Sequence, residues 1–430
     1  MAALSHIRPP DTCAKCGACA PVCPVYRVTG REYHTGRGKL QLLEKLDPAA
    51  AGPVYAEILS HCLLCGACSR ACSRGLPVAE LLRQARLRLS RQGGSHHLLR
   101  ALGVKLPEHS RLLKALSPLA RLLLTRRIPT DSGLNLRLAL PETWNTGASA
   151  PETTIELAPL QQPEPDPPGE IMLFTGCYAN FIEPQIARAT QSLLQKNRLG
   201  RAIIPKDQSC CGLAALSSGQ GEMAKRVARK NIEAYSGSSP VVVACASCYH
   251  QLKRYPKLLE DDPQWRDQAV DFAARVEEFS KFFQQNLSPS TFGGDLGSDP
   301  DSRETAQVRL FYHDPCHLRF ADTPITEEPR QLLAMIPQLR LEEAPHGAHC
   351  CGHGGLFHLA HPESATAILR QLVDDVKESR AQVITTTCSG CLLHWHRAKA
   401  LKLHGCRAIH LAVLLDRYQL YRHPPLAHNQ

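Results

Sequence analysis

The sequence predicts a mixed α+β and α/β protein, with a helical cysteine-rich N-terminal domain followed by two duplicated α/β lobes. Nineteen cysteines lie in groups of eight, five, five and one along the 430 residues. The second and third groups repeat each other at a nearly constant offset. Inside both, short β-branched runs alternate with amphipathic helical patterns, as parallel α/β units require. Hydrophobic residues make up 43% of the chain, which excludes wholesale disorder, and aromatics only 5%, so aliphatic side chains must fill the cores.

The first eight cysteines form two runs, Cys13-x-x-Cys16-x-x-Cys19-x-x-x-Cys23-Pro24 and Cys62-x-x-Cys65-x-x-Cys68-x-x-x-Cys72-Ser73. This is the spacing of a two-cluster ferredoxin, in which the fourth cysteine of each run serves the other cluster. A tight CxxCxxC loop points three thiolates at three corners of a cubane, and the other run caps the fourth. Cys13, Cys16, Cys19 and Cys72 are therefore expected to hold one [4Fe–4S] cluster. Cys62, Cys65, Cys68 and Cys23 are expected to hold the other. Gly17 and Gly66 let the backbone turn closely around them. Paired zinc ribbons, with four ligands at CxxC…CxxC spacing, fit an eight-cysteine double run poorly. The 38 residues between Cys23 and Cys62 exceed a minimal ferredoxin and predict a helix around Lys39 to Leu46.

The remaining cysteines define the duplication. Cys177, Cys210, Cys211, Cys245 and Cys248 match Cys316, Cys350, Cys351, Cys388 and Cys391 at offsets of 139, 140, 140, 143 and 143 positions. Strands are expected at Ile171–Phe174, Val241–Ala244, Val308–Tyr312 and Val383–Ile384, each ending just before cysteines. Helices are expected at Met223–Tyr235 and Ser364–Glu378. Ligands of parallel sheets collect at the carboxyl ends of strands, so each set of five should converge there. The expected domains are 1–140, 171–286 and 308–430. A linker at 141–170 contains seven prolines, and a polar, turn-rich one spans 287–307.

Five thiols with two adjacent suit an unusual iron–sulfur centre, with zinc as the alternative. Here the motifs carry a resemblance: Thr175-Gly176-Cys177, Ser209-Cys210-Cys211-Gly212, Cys245-Ala246-Ser247-Cys248, His313-Asp314-Pro315-Cys316-His317, His349-Cys350-Cys351-Gly352 and Cys388-Ser389-Gly390-Cys391. Over about residues 10–415 the chain resembles the cysteine-rich (CCG) family of heterodisulfide reductase catalytic subunits and of the iron–sulfur subunits of glycolate oxidase and D-lactate dehydrogenase complexes. The resemblance implies one or two further, non-cubane [4Fe–4S] clusters in the CCG domains. It also implies an oxidoreductase subunit that passes electrons from a separate FAD-containing subunit towards a quinone or membrane cytochrome. The alternative it implies is a catalytic subunit that reduces a disulfide at a non-cubane cluster. No nucleotide-binding GxGxxG follows a strand and no P-loop is present, so the chain lacks an evident flavin or nicotinamide domain.

Charge and targeting complete the expectations. Between Leu81 and Arg127 lie eleven Lys or Arg and one acid, Glu108, so the whole net charge of +10 sits there. Apolar and basic residues interleave at near-helical spacing, suiting either an anionic membrane or acidic partner, or helices packed on the first domain. Without an aromatic residue for stacking, this segment does not suit nucleic acid. The N-terminus MAALSHIRPP lacks an apolar export core and no run of about 18 uncharged apolar residues exists. A cytoplasmic, reducing setting follows, with peripheral contact on the cytoplasmic face of the membrane through the basic segment. His250, His317, His349, His353, His394 and His396 stand near the repeat cysteines and could bond a sulfur or simply pack. Arg37-Gly38-Lys39 reads as a basic turn like that of the family's first domain, or a solvated one. Cys406 reads as a buried apolar residue.

Overall fold

The computed structural model describes residues 13–46, 52–92, 169–292, 307–397 and 406–420. These group into two compact units. One joins the N-terminal domain to Gly212–Arg226 and His349–Leu372, two stretches from the repeats; the other carries both sheets. Among the described residues no helix is long and apolar enough to cross a membrane.

The N-terminal domain is helical: α1 (Pro24–Thr29), α2 (Gly36–Lys45), α3 (Pro53–Ser60), α4 (Ala67–Arg70) and α5 (Val78–Gln92). Proline opens α1 at a position whose N–H has no helical partner, and Gly30 closes it in the left-handed conformation at φ 64°. Thr35 caps α2 by accepting from the Gly38 N–H at 2.9 Å. Val78, Leu81, Leu82 and Ala85 line one face of α5 and bury it against Leu40, Tyr55 and Leu59. Each buried Val or Leu among them contributes about 2 kcal/mol.

Within α5 the basic segment follows the packed reading, but with two of its cations turned inward. Arg83 and Arg86 are buried within α5 rather than presented to a membrane. The Arg86 guanidinium donates to the carbonyls of Leu59, Ser60, Cys62 and Ser217 at 2.6–3.0 Å. Residues 93–127 of that segment lie outside the described residues, as does most of each expected linker. Leu287 and Phe292, within the second linker, are buried in the core of the two sheets, so that stretch is partly packed.

Each repeat folds the same way. The first runs β1 (Glu170–Phe174), α6 (Gly176–Phe181), α7 (Gln185–Lys196), β2 (Arg201–Ile203), α8 (Leu213–Ser217), α9 (Gly221–Ala234), β3 (Val241–Val243), α10 (Ala246–Leu252), α11 (Tyr255–Leu258), α12 (Arg266–Arg275), β4 (Val276–Glu278) and α13 (Phe279–Asn286). The second runs β5 (Val308–Tyr312), α14 (Cys316–Arg319), α15 (Glu327–Ala334), β6 (Leu339–Glu342), α16 (Phe357–Ala360), α17 (Pro362–Ser379), β7 (Val383–Thr386), α18 (Ser389–Arg397), β8 (Arg407–His410) and α19 (Leu411–Leu420). The sheets are parallel with strand orders β2-β1-β3-β4 and β6-β5-β7-β8. The second and fourth strands of each escaped the sequence because three or four residues that include charges are too short a run to read as a strand.

The two sheets share one core. α7 packs on α19 and α13 on α15. Since α7 and α15 follow the first strand of their repeats, and α13 and α19 the last, these two contacts are the same contact made twice. That reciprocity is a pseudo-two-fold. Leu193, Phe279 and Phe283 meet Leu310, Leu332, Leu411 and Leu414 in the core. Lys196 pairs with Asp416 at 3.0 Å at its edge.

Candidate metal centres

The N-terminal loops place their thiols around two cavities. One is lined by Cys23, Cys62, Cys65 and Cys68; the other by Cys13, Cys16, Cys19 and Cys72, with Cys68 at its edge. Each holds about 390 Å³ of empty space, part of it open to solvent. The loops are conformational copies: Lys15 and Leu64 both adopt left-handed backbone at φ 53° and 52°, and Gly17 and Gly66 follow at 84° and 89°. Two left-handed residues on either side of a cysteine fold the chain back around a centre, and glycine carries this without strain at the second. Gly36 lies between the two cavities: a Cβ there would stand 3.2 Å from the Cys68 Cβ and 3.4 Å from that of Cys19.

Charge is arranged to suit thiolates. The Arg37 N–H donates to Cys19 Sγ at 3.3 Å and the Leu64 N–H to Cys62 Sγ at 3.4 Å. Arg37-Gly38-Lys39 is not a solvated turn but the start of α2, and Lys39 is buried against the cavity of Cys23, Cys62, Cys65 and Cys68. Burial lowers the Lys39 ammonium, while Cys62, Cys23 and Cys68 pull it back up. Burial pushes the Cys23 thiol up to about 11 and raises Cys68 well above the ordinary value. Such thiols ionise when a metal takes the sulfur. Four convergent soft donors, backbone N–H groups on sulfur and buried cations form a set that fits an iron–sulfur cluster in each cavity.

In the first repeat the topology explains the gathering. β1 and β3 are adjacent, so Cys177 after one and Cys245 and Cys248 after the other emerge side by side. A Cβ on Gly176, at φ 61°, would stand 3.2 Å from Cys248 Sγ. Cys177 is hydrogen-bonded to Cys210, Cys248 to both Cys211 and Cys245, and Cys177 also lies close enough to Cys211 and Cys245 to feel their charge, which brings the five thiols into one group. Those bonds push Cys177 and Cys248 well up and Cys245 well down.

Neutral side chains hold these loops. Asn231, fully buried on α9, accepts from the Ser209 N–H at 2.8 Å and donates to the Cys210 carbonyl at 3.0 Å. Tyr255 donates to the Cys211 carbonyl at 3.1 Å. Gln208 Oε1 accepts from the Thr175 and Gly176 N–H groups and the Tyr235 hydroxyl at 3.1–3.3 Å. None of these was picked out from sequence. Asn231 did leave a signal, a polar residue four positions after Val227 on the apolar face of its helix.

In the second repeat Cys316 opens α14 after β5, and Cys388 and Cys391 follow β7, both buried. Cys388 is hydrogen-bonded to Cys245 of the first repeat and is pushed up to about 12. Ser247 Oγ lies 3.1 Å from Cys388 Sγ and 3.0 Å from His317 Nδ1, and the Ala246 N–H donates to the Thr387 carbonyl. Cys350 and Cys351 are buried on the stretch that groups with the N-terminal domain. Gly352 repeats the left-handed backbone of Gly212, φ 87° against 85°.

The histidines divide. His250 and His317 stack with centroids 4.6 Å apart, and His353 stacks on His358 at 4.1 Å. His349 lies 3.0 Å from Arg27 Nη1, His396 pairs with Glu183 at 3.2 Å, and His394 is buried. Cys406 is buried, which pushes its thiol up to about 12.

Known proteins share this plan. The family described as "4Fe-4S dicluster domain" matches residues 10–76, and that described as "Cysteine-rich domain" matches 171–253 and 310–395. The "Probable glycolate oxidase iron-sulfur subunit" of Bacillus subtilis (strain 168) is 31% identical over 431 residues, covering 94% of this chain and 92% of that one. "Lactate utilization protein A" is 28% identical in the same organism, over 57% of this chain and 99% of that one. Its counterpart in Halalkalibacterium halodurans is 30% identical, over 59% and 99%. With a dicluster domain ahead of two cysteine-rich domains, and that extent of likeness, the chain belongs to the family of the glycolate oxidase iron–sulfur subunit.

Proposed function

We propose that the chain is the electron-transfer subunit of a 2-hydroxyacid oxidase or dehydrogenase complex acting on glycolate or D-lactate. The observation that carries this reading is the crossed lining of the two N-terminal cavities by the two cysteine runs, together with the five-thiol group within the first repeat. In this reading Cys13, Cys16, Cys19 and Cys72 ligate one [4Fe–4S] cluster, and Cys23, Cys62, Cys65 and Cys68 the other. Cys177, Cys210, Cys211, Cys245 and Cys248 hold a further, non-cubane cluster, and Cys316, Cys350, Cys351, Cys388 and Cys391 its counterpart. Bound clusters supply one-electron carriers. The chain's own residues position the thiolates, offset their charge through Lys39 and Arg86, and shield them from water. A separate FAD subunit delivers the electrons, and a quinone or membrane cytochrome receives them. The domains are 1–140, 171–286 and 308–430, and the chain works in the cytoplasm, at the membrane surface where its acceptor lies.

Anaerobic purification from the native host, with iron and zinc analysis and identification of co-purifying chains, tests this. The expected result is iron for four [4Fe–4S] centres and a flavoprotein partner reducing them on addition of glycolate or D-lactate. Iron for only two clusters together with two zinc ions would overturn the assignment of the repeats. A complex reduced by neither acid would overturn the assigned chemistry.

A further inference from the structure

A second kind of donor cluster lies in the N-terminal unit, built from nitrogen and oxygen rather than sulfur. Glu57 on α3, His61 at the cap of that helix and His361 just ahead of α17 bring one ligand atom each to within 4.8 Å of one another. Glu57 Oε1 lies 3.3 Å from His61 Nδ1 and 3.9 Å from His361 Nδ1. The two imidazoles lie against each other, centroids 3.6 Å apart and planes 35° apart. His34 stacks on His61 at 4.5 Å and is itself held by Thr29 Oγ1 at 2.9 Å.

Hydrogen bonding fixes the tautomer of His361. Ser60 Oγ donates to the Glu57 carbonyl at 2.7 Å, so towards His361 Nε2, 2.8 Å away, it accepts. Nε2 therefore carries the proton and Nδ1 presents a bare lone pair towards the carboxylate. The His361 Nδ1 lone pair and the Glu57 carboxylate thus face each other across 3.9 Å, and a cation between them would be held by both.

We propose that Glu57, His61 and His361 form a divalent-metal site with the ligand chemistry of zinc, its fourth position taken by water. Two ligands about 2.0–2.1 Å from a tetrahedral zinc stand about 3.3 Å apart. The Glu57–His61 separation already matches, and His361 must turn out of its stack on His61 and bring Nδ1 closer for both ring planes to meet the ion. His61 exchanges its present bond to the Glu57 carbonyl, at 3.1 Å, for the metal and carries its proton on Nε2. Ser60 supplies the hydrogen bond to the far ring nitrogen that metal-bound histidines make. The ion would clamp α3 to the stretch His349–Leu372, which packs with the N-terminal domain.

The test uses cluster-loaded full-length protein, dialysed against Zn²⁺ and then against metal-free buffer. Wild type should retain one zinc per chain, and Glu57→Gln and His361→Gln none, with iron content and cluster EPR signals unchanged. Ser60→Ala, which removes no ligand, should weaken zinc affinity about 10–100-fold. Co²⁺ should give the visible d–d bands of a tetrahedral nitrogen and oxygen site. Equal zinc in wild type and both ligand variants would overturn the proposal, as would a wild type holding none. Cobalt spectra dominated by thiolate charge transfer would overturn it too, by assigning the metal to cysteines.

Discussion

In the N-terminal domain the thiols share their burial with cations, Lys39 and Arg86. In the first cysteine-rich lobe the buried side chains that bond to the thiol-bearing loops are neutral: Asn231, Tyr235, Tyr255 and, part-buried, Gln208. The difference teaches how each region stays folded around sulfur. Burying a charge costs several kcal/mol unless it is paired, so Lys39 is tolerated through its hydrogen bond to the His34 carbonyl and the thiolates beside it, and the thiolates in part through Lys39. The N-terminal centres and their cations therefore support each other. The lobe relies on backbone carbonyls and N–H groups held by uncharged donors, which set geometry without setting charge.

The largest effect expected from this comparison is the loss of a whole centre. Cys72→Ser should remove the cluster signal belonging to Cys13, Cys16 and Cys19, although Cys72 lies beside the other run in sequence. Cys248→Ser should leave both N-terminal signals intact in EPR of reduced protein. Loss of the Cys62, Cys65 and Cys68 signal in Cys72→Ser would break the crossed arrangement.

A smaller effect comes from the cation alone. Lys39→Met removes a unit charge from the lining of the cavity of Cys23, Cys62, Cys65 and Cys68, which at an effective dielectric of about 20 should shift a one-electron potential there by on the order of 100 mV. The potential should fall, because the reduced, more negative state loses more stabilisation. Redox titration of the variant with no shift would show that the cation serves packing only.

The smallest concerns a buried charge without a cation. Glu278 caps α13, accepting from the Ser280 and Lys281 N–H groups at 2.7 and 3.1 Å. Burial raises its carboxyl from 4.5 to about 7. The folded state thus binds this proton more tightly than the unfolded chain, and stability present below about pH 4.5 declines as pH rises through about 7. The upper bound on that loss is about 3 kcal/mol. Glu278→Gln keeps one acceptor for the cap and should gain about 1 kcal/mol at pH 8, with no gain at pH 4.5, in urea unfolding. A gain equal at both pH values would mean that the carboxylate's charge costs nothing.

Spacing alone determined much of this protein. The CxxCxxC loops, the duplication and the strands before each cysteine group are local patterns, and a parallel sheet then forces the residues after adjacent strands together. The crossed lining of the N-terminal cavities was legible from the two-cluster ferredoxin spacing, in which the fourth cysteine of each run serves the other centre. Tertiary structure decided the rest. Arg83 and Arg86 read as surface charge, since burial of a cation depends on carbonyls and thiols elsewhere: the Ser217 carbonyl is 131 positions from Arg86. Lys39 read as part of a turn for the same reason. Ser60 and His361 are 301 positions apart, and Cys245 and Cys388 touch only because two copies of one fold pack helix against helix. Periodicity records which face of an element is apolar. It does not record which distant polar group will be waiting there.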